Sequence, residues 1–146
     1  MKLFFGENQL QPEGYTRVGA TEQSQVEVVH DLDTVPWPWE GDSVHRIIAT
    51  GVVERLKINL VEFCNEAWRV LQPGGELFVR TPHHDGVVSW IDPLHRWHLH
   101  ERSFEYFDPD VAPSKSIGHG TLLKWRILSL GVREGNYIHA LLTPRK

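Results

Sequence analysis

Apolar and polar positions alternate along the chain in a way that separates strands from one clear helix. Lys2 to Phe5 is a short apolar run that stops at Gly6. The nine residues from Gly6 to Gly14 are polar and turn-forming, too few for the dozen or so residues that a helical crossover usually takes. Tyr15 to Val18 reads as a second strand, and the β-branched run Val26 to His30 as a third. Pro36 and Pro38 make the following WPWEGDS segment a loop. Val44 to Thr50, with Ile47, Ile48 and Ala49 at its centre, reads as a buried strand.

From about Val53 to Leu71 the period changes. Leu56, Leu60, Phe63, Cys64, Ala67, Trp68 and Leu71 fall at helical spacing, and Glu54, Arg55, Lys57, Glu62, Glu66 and Arg69 lie opposite them. Pro73, Gly74 and Gly75 are expected to end this helix, and a strand from Glu76 to Thr81 follows. Beyond Pro82 the pattern weakens into a segment rich in His and Trp. A helical turn or two around Ser103 to Phe107 has Ser103 as its expected N-cap, and residues 108–121 read as loop. Lys124 to Val132 and Tyr137 to Thr143 are strand-like runs joined by Arg133, Glu134, Gly135 and Asn136, a hairpin signal. Together these elements predict one α/β domain over residues 1–146, with a mostly parallel sheet and an antiparallel edge.

Composition narrows the setting. With 146 residues, 40% hydrophobic and 23% charged, the chain fits one globular core. No run approaches the roughly 18 apolar residues of a membrane span, and the amino-terminal apolar stretch is too short for a signal peptide, so a cytoplasmic location is expected. The single cysteine, Cys64, rules out an internal disulfide or a multi-cysteine zinc site. A balance of 15 basic against 19 acidic residues gives no global attraction to nucleic acid or to an anionic membrane. Six tryptophans and nine histidines are the unusual entries.

Three collinear stretches carry a resemblance: EGYTRVGA with VEVVHDLDTVPWPWEGDSVHRIIA, then LVEFCNEAWRVLQPGGELFVRTPHH, then DPLHRWHLHERSFEYFDP. Over Lys2 to Pro109 the chain resembles small class I S-adenosylmethionine-dependent methyltransferases, in a type 11-like subgroup. The resemblance implies a doubly wound, mostly parallel Rossmann-like sheet with a C-terminal antiparallel hairpin, here lacking the first crossover helix. It also implies S-adenosylmethionine as cofactor, bound at the carboxyl ends of the strands, and a methyl acceptor of unknown identity.

Residue by residue, the resemblance places Gly6, Asn8, Asp31, Leu32, Ala49 and Thr50 at the cofactor. Asn8 stands where the family usually has the second glycine of its first loop. Gly19 stands where it has an acid that binds the ribose hydroxyls, a loss for which Glu22 is a candidate substitute. Gly51 and Arg55 replace two histidines of the family's A-S-H-V-L-E-H segment. These departures cluster on the cofactor side, which supports an alternative reading: a methyltransferase-like protein that no longer binds cofactor and acts as a regulatory or structural module.

Histidines 83, 84, 95, 98 and 100, with Asp85 and Asp92, invite a metal reading. Their spacing matches no metal motif, so no metal ligand is assigned. The loop after the fifth strand faces the transferred methyl group in the family, which makes His83 and His84 candidate catalytic bases; loop capping is the structural alternative. Trp37 and Trp39 are expected to pack, Trp68 and Cys64 to lie in the core, and Trp90 and Trp97 to border an acceptor site or a subunit interface. A homo-oligomer or another protein partner is left open.

Overall fold

The computed structural model describes residues 1–6, 10–22, 26–112 and 124–146. Seven strands form one sheet: β1 (Lys2–Phe5), β2 (Thr16–Gly19), β3 (Val28–Val29), β4 (Val44–Thr50), β5 (Leu71–Pro82), β6 (Trp125–Arg133) and β7 (Tyr137–Pro144). Their order is β3-β2-β1-β4-β5-β7-β6. The first five are mutually parallel, while β7 runs antiparallel to β5 and to β6. This is the Rossmann-like α/β sheet expected from the sequence, reversing its winding at β1 and ending in the hairpin.

The pleat explains the core. Leu3, Phe5, Ile47, Ala49, Leu77, Val79, Ile138, Ala140 and Leu142 point to one face and are almost fully buried. Phe63, Cys64, Ala67 and Val70 of helix α1 (Leu60–Val70) belong to the same buried cluster, together with Trp37, Trp39, Phe104, Phe107 and Trp125. Phe5 meets Trp37 edge-on at 5.5 Å and Phe63 at 6.4 Å. The proline-tryptophan loop thus roofs the β1 end of the core that α1 leaves uncovered. Glu66 and Arg69 pin that roof. Glu66 Oε2 accepts the Trp37 N–H at 2.7 Å, and Arg69 donates to the Trp39 and Trp37 carbonyls at 2.9 and 3.0 Å.

Several boundaries differ from the sequence reading. α1 starts at Leu60 rather than Val53 because Asn59 and Glu62 form a reciprocal cap: Glu62 N–H donates to Asn59 Oδ1 and Asn59 N–H to Glu62 Oε2. The helix ends at Val70, where Leu71 turns extended, so Pro73 to Gly75 lie inside β5, at a register shift against β4, rather than terminating the helix. Trp68 is half-buried at the margin of the core, its Nε1–H donating to the Lys124 carbonyl at 3.0 Å. His100, not Ser103, caps the 3-10 helix Glu101–Phe107. A short helix, α2 (Val88–Ile91), lies in the segment after β5 that the sequence pattern left unstructured. Of the loop expected at 108–121, residues 113–121 lie outside the described residues.

Candidate functional site

Two cavities open where the strands β1, β2, β4 and β5 end. The first, of about 270 Å³, is lined by Phe5, Gly6, Val18, Gly19, Ala20, His30, Asp31, Leu32, Gly51, Val52, Arg55 and Leu56. Its walls are largely apolar, with the Asp31 carboxylate and the Arg55 guanidinium as charged points. Gly6 is a close-approach position, since a Cβ there would stand 2.9 Å from the Thr50 carbonyl and 3.0 Å from the Phe4 ring.

The second cavity, of about 300 Å³, is lined by residues from five segments. These include Thr50, Glu54, Arg80, Pro82, His95 and Tyr137, and it shares Gly51 and Arg55 with the first. The two spaces are therefore neighbours across one short stretch of chain. Gly51 has φ +66°, the left-handed turn that lets the chain leave β4 and pass between them.

The connection of residues 51–59 is held from both sides. Asp33 Oδ1 accepts the Lys57 and Ile58 N–H groups at 2.7 and 3.0 Å. Trp97 Nε1–H donates to the Leu56 carbonyl at 2.8 Å, and Arg96 N–H to the Glu54 carbonyl at 2.7 Å. The side chain of Glu54 is turned inward, its residue 2% exposed, and Thr81 Oγ1–H donates to its Oε2 at 2.9 Å. Burial pushes the Glu54 carboxyl above the usual carboxylate range, against the opposing pull of hydrogen bonds and of His95 and Arg55. Arg55 pairs with Asp92 at 2.7 Å, and Asp92 Oδ2 lies 3.4 Å from His95 Nε2. The Arg80 guanidinium stacks on the Tyr137 ring at 3.6 Å.

Gly6, Asp31 and Leu32 line the first cavity together. Thr50 lines the second, and Ala49 is fully buried beneath them. Asn8 lies outside the described residues. Gly19 is on the wall of the first cavity, whereas Glu22 is exposed and not among its lining residues. His83 and His84 line neither cavity: they cluster with His100, the three ring centroids 4.6 to 5.3 Å apart, with His84 stacked on His100 and His83 tilted against both. Burial pushes the Cys64 thiol up and keeps it from acting as a nucleophile. Glu54, Arg80 and Tyr137 are second-cavity residues that the sequence did not single out, and His95 stood out there only within the histidine cluster. The signals for two of them were in plain view, Glu54 in the A-T-G-V-V-E-R segment and His95 in D-P-L-H.

No protein-family model and no curated protein matches the sequence. Solved structures do match in fold. An S-adenosylmethionine dependent methyltransferase from Aquifex aeolicus superposes with TM-score 0.60 at 12% identity, covering 97% of this chain and 80% of that one. A Listeria monocytogenes protein assigned as an S-adenosylmethionine dependent methyltransferase gives TM-score 0.64 at 10% identity over 99% and 90% of the two chains. A chain of the Haloferax volcanii complex formed by the Trm112 methyltransferase activator gives 0.58 at 10% identity over 82% of this chain, which spans 61% of that neighbour's length. At such identities the likeness concerns architecture, and it places this chain among methyltransferase-like folds.

Proposed function

We propose that the protein is an S-adenosylmethionine-dependent methyltransferase whose acceptor occupies the second cavity. The observation that carries this reading is the pair of cavities at the carboxyl ends of β1, β2, β4 and β5, meeting at Gly51 and Arg55. A transfer reaction needs two ligands held side by side, and this sheet places its ligand site at the switch point.

The first cavity suits the cofactor in shape and chemistry. Phe5, Val18, Leu32, Val52 and Leu56 offer apolar surface to a purine ring, Asp31 an acceptor for an exocyclic amine, and Arg55 a cation for an amino-acid carboxylate. When bound, the cofactor supplies an electrophilic methyl group on a sulfonium. In the second cavity Glu54, His95 and the Arg55-paired Asp92 are the groups able to accept a proton, and Arg80 and Tyr137 are placed to orient a polar acceptor. His83 and His84 remain candidate bases only for an acceptor long enough to reach beyond this cavity.

One observation favours the second reading, a fold that no longer binds cofactor: Gly19 contributes no carboxylate at the ribose position, and Glu22 does not line the cavity. Isothermal titration of the whole chain with S-adenosylmethionine and S-adenosylhomocysteine separates the two. One site per chain, weakened at least tenfold by Asp31→Ala in a folded variant, supports the enzyme. Absence of heat at millimolar ligand overturns it.

A further inference from the structure

Away from both cavities, three imidazoles converge. His83, at the end of β5, is buried, His84 is exposed, and His100 is partly exposed at the cap of the 3-10 helix. One ring nitrogen of each lies within 4.8 Å of the others. Long-range backbone pairing brings them together: His84 N–H donates to the Leu99 carbonyl at 2.7 Å, and His83 N–H to the Asn136 carbonyl at 2.7 Å. His83 and Leu99 form an isolated parallel bridge. Residues 17 apart in sequence thus stand side by side on paired backbone, and side-chain rotation together with release of the Asp85 N–H from His83 Nδ1 would bring them to a shared ion.

Glu101 completes the chemistry. Its Oε2 is hydrogen-bonded to His83 Nε2 at 2.7 Å and lies 3.2 Å from His100 Nδ1. His83 Nδ1 accepts the Asp85 N–H at 3.1 Å, so the ring carries its proton on Nε2, held by a carboxylate, and an ion bound at Nδ1 takes the place of that single backbone N–H. That is the arrangement by which an outer carboxylate fixes the tautomer and raises the basicity of a metal-binding imidazole. The neighbouring cation Arg102 is engaged with Glu105 at 3.1 Å rather than with Glu101. A surface recess of about 520 Å³, lined by His100, Arg102, Ser103 and Tyr106, adjoins the cluster and gives an ion and its water a way in.

We propose that His83, His84 and His100 bind one divalent transition-metal ion of the Zn²⁺ class, with Glu101 as the outer carboxylate. Imidazole nitrogens suit Zn²⁺ and its neighbours rather than Mg²⁺ or Ca²⁺. A tetrahedral ion with nitrogens at about 2.0 Å sets them about 3.3 Å apart, a contraction that rotation of the exposed His84 and His100 rings supplies. The ion would clip the two ends of the segment 85–99, the stretch carrying Val88, Ile91, Asp92 and His95 to the second cavity. It would thereby order that wall whatever molecule the cavity accepts.

The test uses the full-length protein, stripped with chelator, and Zn²⁺ and Co²⁺ as probes. Expected are one Zn²⁺ per chain by equilibrium dialysis with elemental analysis, and visible absorption bands of four-coordinate Co²⁺. His84→Ala and His100→Ala, both at solvent-accessible positions, should each weaken Zn²⁺ binding by 10-fold or more, while His45→Ala leaves it unchanged. Should either variant lose its far-UV circular dichroism, His84→Gln and His100→Gln replace it. The proposal is overturned if chelated protein takes up no Zn²⁺ at millimolar concentration, or if His84→Ala with His100→Ala binds it as wild type does.

Discussion

Thr81 Oγ1–H donates to Glu54 Oε2 at 2.9 Å, joining the end of β5 to the wall between the two cavities through a carboxyl group almost wholly removed from water. Burial raises the Glu54 value in the folded protein above its unfolded one. A group shifted that way contributes stability below its unfolded value and loses it as pH rises through the folded value. Glu54→Gln keeps an acceptor for Thr81 and removes the ionisation. Urea denaturation should find the variant more stable than wild type by about 1 kcal/mol at pH 8 and no more stable at pH 4. Parallel stability curves for the two proteins would sink this account.

Gly51 stands at φ +66° between β4 and the cavity wall, and a Cβ would have room, its nearest neighbour being Glu54 Oε1 at 3.6 Å. The cost of a side chain there is backbone strain rather than collision. Gly51→Val should lose about 1–2 kcal/mol, and Gly51→Asn markedly less, because Asn tolerates the left-handed region. Equal losses for Val and Asn in chemical denaturation would point to sterics instead.

Arg55 forms an exposed ion pair with Asp92, the side chains being 44% and 26% exposed. Such a pair adds little stability, so Arg55→Met should change unfolding free energy by less than about 1 kcal/mol. As the cation of the first cavity it should matter for binding: S-adenosylhomocysteine affinity should fall about tenfold. Calorimetry showing unchanged affinity would remove Arg55 from the proposed cofactor site.

Glu66 experiences opposing effects. Burial pushes its carboxyl up, but hydrogen bonds from Arg69 and the Trp37 N–H, with the Arg69 charge, outweigh it and hold the value below the usual range. A depressed group contributes stability above its unfolded value and loses it as pH falls through the folded one. Wild type should therefore weaken in acid, below about pH 5, more steeply than Glu66→Gln, which should be less stable by about 1 kcal/mol at pH 7. Acid and urea unfolding followed by tryptophan fluorescence, to which Trp37 and Trp39 contribute among six tryptophans, checks this; coincident acid limbs for the two proteins would refute it.

Periodicity reveals the strands and the buried face of α1, because Phe63, Cys64 and Ala67 obey a local geometric rule. It misplaces the start of the helix because Val53 and Leu56 continue the apolar spacing while packing from a loop. The cap that decides the matter, Asn59 with Glu62, is itself written in the sequence as a polar pair three residues apart. The first cavity was accessible through resemblance, since Gly6, Asp31 and Leu32 all line it. The sequence singled out His83, His84 and His100 together with His95 and His98, but not which of them meet, because that depends on the pairing of His84 with Leu99, a contact no local pattern encodes.

The cap at Asn59 has a consequence for how such a protein changes over time. By delaying α1 it leaves residues 51–58 outside every helix and strand while fixing both of their ends, one to β4 and the other to the core-facing helix. Substitutions there can reshape the partition between the two cavities while the sheet-helix contacts are inherited intact. The partition is an exchangeable panel set in a permanent frame, and the shape of both cavities can drift without renegotiating the fold.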